Sequence, residues 1–221
     1  MLAAVIFDLD GVLIDSEPAW NQARHDVVVE HGGQWRPEAQ RTMMGMSSTE
    51  WSAYMHQELG AAPTPQELSD IVVARLAKRY DEHLPLIPGA RQAVMRLARE
   101  WPLALASSAN RPIIELVLDR AGLRDAFVAW VSSEEVARGK PAPDVYLDAA
   151  RRIEVSPERC AAVEDSSNGL RSAAAAGTTV VAIPNREFPP DEDALALAAV
   201  VLESIDQLTP ERITRAAAGA I

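Results

Sequence analysis

The chain has 221 residues, of which 48% are hydrophobic and 24% charged, a composition typical of a soluble globular protein. Its formal net charge of −11 argues against nucleic acid and anionic membranes as partners, because their phosphates attract basic surfaces. An acidic protein can still bind a small anion, but it then needs a local cation.

Six short apolar runs bounded by polar turns predict buried strands. They span residues 3–7, 102–107, 127–132, 160–164, 179–184 and 198–202. Segments with helical spacing of apolar residues lie between most of them, at 89–101, 111–121 and 143–153. This alternation predicts an α/β fold with a Rossmann-like, doubly wound parallel sheet.

One stretch interrupts the alternation. Residues 16–84 contain no strand-like run, only three segments of helical pattern separated by glycines and prolines. We therefore expect a helical cap domain at 16–84, inserted into a catalytic core formed by residues 1–15 and 85–221.

Acidic pairs follow two of the predicted strands. Asp8 and Asp10 come after the first strand, and Glu164 and Asp165 end the fourth. A single aspartate there would be read as a turn or cap residue. Two pairs at the same edge of a parallel sheet would repel each other, and a hard divalent cation such as Mg²⁺ would relieve the repulsion.

Two further segments could bind an anion. Ser107 and Ser108 end the second strand at a predicted helix N-terminus, where they could bind phosphate or simply cap the helix. Lys140 lies between Gly139 and Pro141, so its backbone is restricted and its side chain could be aimed at the same edge.

Taken in order, "FDLDGV", Ser107, Lys140 and "EDSSNG" resemble the four motifs of the haloacid dehalogenase superfamily, and the resemblance covers essentially the whole chain. The stretches "DSEPAW", "PLIPGA" and "GKPAPDVYLDAA" resemble its branch of sugar phosphatases and β-phosphoglucomutases, with "DSEPAW" most like the 2-deoxyglucose-6-phosphate and hexitol phosphatases. The predicted helical insertion is similar to the cap domain of that family.

The resemblance implies roles for the acidic residues. Asp8 would be the nucleophile that forms an aspartyl-phosphate, and Asp10 the general acid and base. Mg²⁺ would be held by Asp8, the backbone carbonyl of Asp10 and Asp165, with Glu164 as a direct or water-mediated ligand. An aspartate at position 10 favours transfer to water or to a sugar hydroxyl.

The resemblance also implies that Ser107 and Lys140 bind the phosphoryl oxygens. Trp20 could be a wall of the substrate pocket or simply pack in the cap, and we favour the wall. The mutase has a cap histidine where Trp20 stands and a phosphate-binding arginine where this chain has Ser48 or Thr49. Because a mutase must hold a second phosphate, these differences favour a phosphatase.

The sequence thus predicts a Mg²⁺-dependent phosphatase whose partner is a small phosphorylated sugar or polyol. A hexose-phosphate mutase and an inactive phosphate-binding regulator are the alternatives. The N-terminus lacks the basic segment of a signal peptide, and the single cysteine, Cys160, excludes an internal disulfide. We therefore expect a cytoplasmic protein, and a monomer because no additional interface element is visible.

Overall fold

The central element of the fold is a six-stranded parallel sheet, seen in a computed structural model that describes residues 1–219. Its order is β3-β2-β1-β4-β5-β6. The strands are β1 (Ala4–Phe7), β2 (Leu103–Ser107), β3 (Phe127–Ser132), β4 (Cys160–Glu164), β5 (Thr179–Ala182) and β6 (Val200–Val201). The predicted strands and the α/β class are confirmed.

Helices connect the strands and include a long run between β1 and β2. They are α1 (Glu17–Glu30), α2 (Ala39–Met43), α3 (Ser48–Gln57), α4 (Pro65–Glu82), α5 (Ala90–Leu97), α6 (Arg111–Ala121), α7 (Asp144–Arg152), α8 (Ser167–Ala175), α9 (Glu192–Leu195) and α10 (Pro210–Ala217). Helix α6 has its predicted bounds. Helix α5 ends at Leu97, four residues before the predicted end at Trp101. Trp101 precedes Pro102, and a residue before proline is disfavoured in helical conformation. Within residues 1–219, no helix combines the length and apolarity needed to cross a membrane.

The four central strands are buried on both faces, as their apolar runs predict, whereas the edge strands β3 and β6 expose Val128 and Val201. Val5 and Phe7 of β1 pack into one hydrophobic cluster, and Ala4 and Ile6 pack into another. Successive side chains of a strand point to opposite faces, so the two clusters lie on opposite sides of the sheet. The helices on each side exclude water from the strands and fix the positions of the strand ends.

The helical segment leaves and rejoins the rest of the chain through two adjacent strand-like links. Asp15 N donates to Pro85 O at 2.8 Å, and Ile87 N donates to Leu13 O at 2.9 Å. The segment that contains helices α1–α4 is therefore joined to the rest of the chain at a single point, the paired links at residues 13–15 and 85–87. That residues 16–84 form a separate cap domain stays a prediction, consistent with this connection.

Candidate active site

The topology brings the predicted site residues to one edge of the sheet. Strand β1 lies between β2 and β4, and Phe7 is in register with Val163, so Asp8 comes beside Glu164. Ser107 ends the neighbouring strand β2. The strand order reverses at β1, and open α/β sheets bind their ligands outside the carboxyl ends at this kind of reversal.

Three carboxylates meet at this edge. Oxygens of Asp8, Glu164 and Asp165 lie within 4.8 Å of one another, and all three residues are buried. The Lys140 ammonium reaches into the same cluster, with Nζ 3.0 Å from Asp8 Oδ1 and 2.5 Å from Glu164 Oε1. One ammonium thus faces three carboxylates.

The electrostatics of the cluster favour an additional cation. Burial, reinforced by Glu164, raises the pKa of Asp8 to about 8 even though Lys140 opposes the rise. Burial and the charges of Glu164 and Asp8 also raise the pKa of Asp165 well above its usual range. Carboxylates that cannot ionise together without help are suited to a divalent metal, which prefers oxygen ligands.

Two glycines make room for these carboxylates. Gly11 has φ of 74°, and a side chain there would collide with the Asp165 carboxylate. Gly169 lies in the first turn of helix α8, and a Cβ on it would collide with the Glu164 carboxylate. The glycines of "DLDG" and "SSNG" are therefore required by the close approach of the two acidic residues.

Glu164 is held by more hydrogen bonds than the sequence suggests. Its Oε1 accepts from Tyr146 OH at 2.7 Å as well as from Lys140, and its Oε2 accepts from Asp165 N at 3.1 Å and from Ser166 Oγ at 3.3 Å. Both carboxylate oxygens are thus engaged by the protein. The sequence predicted only that residues 143–153 form a helix, and the contact of Tyr146 with Glu164 was missed.

The Asp10 carboxylate is contacted by two side chains outside the acidic cluster. Trp20 Nε1 donates to its Oδ1 at 3.1 Å, and Ser107 Oγ lies 3.4 Å from its Oδ2. Ser107 is fully buried and also accepts from Ala109 N at 3.0 Å. The indole contact fixes the orientation of the Asp10 carboxylate and was not predicted.

A cavity of about 640 Å³ opens over these residues. Asp8, Asp10, Ser108, Lys140 and Asp165 line it from the sheet edge, and Glu17, Trp20, Arg24, Arg41 and Trp51 line it from the helical segment. Ser108 also donates to Gly45 O at 3.3 Å, which joins the core to the segment between α2 and α3. Trp20 thus borders the cavity, and its contact with substrate stays a prediction; Glu17 and Arg24, which also border the cavity, were not among the predicted site residues.

The site holds buried carboxylates and a lysine at the edge of a parallel α/β sheet, with helices α1–α4 on the other side of the cavity. This combination is typical of α/β enzymes that act on phosphate esters. Residues 2–177 match the family of haloacid dehalogenase-like hydrolases, and the chain belongs to that family.

Similar proteins fit this membership. Hexitol phosphatase B of Escherichia coli K12 is 37% identical over 215 residues, covering 94% of this chain and 95% of that protein. A variant of CbbY from Rhodobacter sphaeroides, solved with xylulose-(1,5)bisphosphate, has a TM-score of 0.84 at 29% identity and covers 94% of this chain and 96% of its own. A β-phosphoglucomutase from Clostridium difficile has the same fold, with a TM-score of 0.84 at 24% identity, covering 99% and 98% of the two chains.

Proposed function

We propose that this hydrolase is a magnesium-dependent phosphatase of small phosphorylated sugars or polyols and that it works through an aspartyl-phosphate on Asp8. The observation that carries the proposal is the buried pair of Asp8 and Lys140, 3.0 Å apart, beneath the cavity. An aspartate at this place can attack phosphorus while the ammonium binds the phosphoryl oxygens and stabilises their charge. The relative named hexitol phosphatase B supports the substrate class.

Asp10 is suited to proton transfer. Its carboxylate lies on the cavity, two residues from Asp8, and is oriented by Trp20 and Ser107. In the first half of the reaction it would protonate the leaving alcohol, and in the second it would take a proton from the attacking water.

The residues present fit a magnesium ion. Asp8 and Asp165 supply carboxylate oxygens, and the backbone carbonyl of Asp10 would complete the protein ligands. Since both oxygens of Glu164 already accept hydrogen bonds, its main role here would be to orient Lys140 and add negative charge. Bound Mg²⁺ would neutralise the carboxylates and polarise the phosphoryl group.

The mutase alternative was disfavoured partly because the segment at Ser48 and Thr49 lacks an arginine. Arg24 and Arg41 nevertheless line the cavity, so cations are supplied from other helices. The absence of arginine at that one segment therefore does not separate the two activities, and products must be measured. Incubation with β-glucose 1-phosphate and a bisphosphate primer should release inorganic phosphate; accumulation of glucose 6-phosphate instead would establish the mutase.

The nucleophile is tested by Asp8→Asn, which keeps the shape and removes the negative charge. We expect Mg²⁺-dependent release of phosphate from p-nitrophenyl phosphate to fall by at least about 10³-fold, the scale of losing covalent catalysis. Asp125→Asn, at an exposed aspartate in the 3-10 turn between α6 and β3 and outside the cavity lining, is the matched control and should retain activity. Full activity in Asp8→Asn would overturn the assignment, and inactivity of the wild type toward every phosphate ester would favour the regulator.

A further inference from the structure

Helix α1 brings two charged residues to the cavity that have no part in the proposed chemistry on Asp8. Glu17 and Arg24 lie on helix α1, seven residues apart, and both line the cavity. Arg24 is only 5% exposed. A buried charged residue is costly unless a partner compensates it, so both the partner and the role of Arg24 need an explanation.

Two indole rings hold the Arg24 guanidinium in place. Its Cζ lies 4.7 Å from the centroid of the Trp20 ring and 5.1 Å from that of Trp51. The two indoles pack edge to face at 6.0 Å. Contacts of this kind engage the face of a guanidinium and leave the N–H groups in its plane available as donors.

One buried donor and one buried acceptor, on two residues that line the cavity, lack hydrogen-bond partners. Arg24 Nε and Glu17 Oε2 are both buried, and neither has a hydrogen-bond partner among residues 1–219. Buried polar groups in folded proteins are normally paired. A ligand in the cavity that both accepts and donates hydrogen bonds would satisfy the two residues together.

We propose that Arg24 and Glu17 form the subsite for the leaving alcohol and select a neutral, polyhydroxylated alcohol over one that carries a second anionic group. A hydroxyl can accept from Arg24 and donate to Glu17. A carboxylate or second phosphate could pair with Arg24 but would be repelled by Glu17 and by nearby Asp10. Arg41 also lines the cavity, but it is exposed, where water and salt weaken its attraction for an anion.

The subsite is coupled to the reacting end of the cavity through one side chain. Trp20 contacts the Arg24 guanidinium with its ring and donates from Nε1 to Asp10. An alcohol bound at Arg24 and Glu17 would therefore lie next to the carboxylate proposed to protonate its ester oxygen. The inference rests on the proposed phosphatase function but concerns which alcohol is released.

A pair of ligands that differ in one group tests the selection. Glucitol 6-phosphate and 6-phosphogluconate share a carbon chain and differ in whether carbon 1 is an alcohol or a carboxylate. Calorimetric titration of Asp8→Asn, which binds without turnover, should give a dissociation constant at least about tenfold lower for glucitol 6-phosphate at about pH 8, where Glu17, whose pKa is raised to about 7, is ionised. Equal or tighter binding of 6-phosphogluconate would overturn the proposal.

Substitutions assign the preference to the two residues. Adding Glu17→Gln to Asp8→Asn should reduce the preference at least about threefold, because the amide keeps the shape but does not repel an anion. Adding Arg24→Met should weaken glucitol 6-phosphate binding about tenfold or more. Arg75→Gln, an arginine of α4 paired with Glu30 away from the cavity, is the control and should change neither value.

Steady-state kinetics separates failure of this inference from failure of the proposed function. We compare kcat/KM for glucitol 6-phosphate with kcat/KM for p-nitrophenyl phosphate in a protein that keeps Asp8. The single substitution Arg24→Met should lower the ratio of the two values about tenfold. An unchanged ratio would overturn the subsite. If Arg24→Met fails to fold, the subsite is tested by Glu17→Gln alone: an unchanged binding preference for glucitol 6-phosphate over 6-phosphogluconate would overturn it. A binding preference that persists in a protein without phosphatase activity would contradict the proposed function and support the subsite.

Discussion

The position of Glu17 predicts a stability effect that depends on pH. Burial raises the pKa of its carboxyl to about 7 from an ordinary value of 4.5, although Arg24 opposes the rise. Below pH 4.5 the group is neutral in both folded and unfolded chains, so burying it carries no charge penalty. Between pH 4.5 and 7 the unfolded chain ionises this carboxyl while the folded protein still holds its proton, so stability falls over this range and levels off above pH 7, where the folded protein carries the buried charge.

The size of the loss follows from the two pKa values. Each pKa unit corresponds to 1.36 kcal/mol, so the full penalty is about 3 kcal/mol, and about 2.5 kcal/mol of it develops between pH 5 and pH 8. Glu17→Gln removes the titrating group and keeps its shape. The difference in free energy of unfolding, variant minus wild type, should therefore become more positive by about 2.5 kcal/mol between pH 5 and pH 8.

Urea denaturation followed by far-UV circular dichroism, at several pH values from 5 to 8, measures this difference. Titration of Asp8 is common to both proteins and cancels in the comparison, and Glu17 is the weakest of the causes that shift the pKa of Asp165. Glu30→Gln, at the exposed end of the same helix, is the control: a hydrogen bond from Arg75 lowers the pKa of Glu30, so the stabilisation seen with Glu17→Gln should be absent. Parallel curves for wild type and Glu17→Gln would refute the reasoning.

Three further substitutions test the acidic cluster. Gly169→Ala should lower the urea midpoint and the phosphatase activity, because its Cβ collides with Glu164. Gly139→Ala is the control and should change the midpoint little, because a Cβ there meets only ordinary van der Waals contacts. Equal effects of the two substitutions would contradict the close approach of Gly169 to Glu164. Tyr146→Phe should cost about 1–3 kcal/mol of unfolding free energy by removing a buried donor, and an unchanged free energy would show that the hydrogen bond to Glu164 adds nothing. Asp165→Asn should weaken Mg²⁺ binding, measured by calorimetry, at least about tenfold, and unchanged affinity would exclude Asp165 as a ligand.

The sheet and its reactive edge could be predicted because they depend on local pattern and on topology alone. Apolar runs such as residues 160–164 have no polar side to expose, so they must lie in a sheet covered on both faces. Parallel strands place their carboxyl ends together, which brings Asp8, Ser107 and Glu164 to one edge whatever the details of packing. The acidic pairs and Lys140 could therefore be grouped before any coordinates were known.

The hydrogen bonds within the cluster could not be predicted in the same way. Tyr146 has the spacing of a core residue on α7, and its ring is indeed buried. Whether its hydroxyl reaches Glu164 depends on how α7 sits across the sheet, to within about an ångström. Periodicity determines which face of a helix is buried and leaves the depth and tilt of that face undetermined.

Arg24 was missed even though the sequence contained a signal for it. It lies one turn after Trp20 and one turn before Val27 and Val28, within the buried stripe of α1. A charged residue inside an apolar stripe is unusual enough to indicate a ligand or a buried partner. Without the fold, however, the partner could have been any residue of the other helices, and the two indoles that contact it were not predicted to be neighbours.

The choice between phosphatase and mutase shows why charge must be counted over the whole cavity. At the level of single positions, the lack of an arginine near Ser48 indicated the lack of a second phosphate site. The structure supplies Arg24 from a different helix, which removes that argument, but it also places the Glu17 carboxylate on the same cavity. The pair is then close to neutral as a unit when both residues are charged. What disfavours a second phosphate is therefore the compensation of the cation by Glu17, and Glu17→Gln should make the cavity more tolerant of bisphosphates.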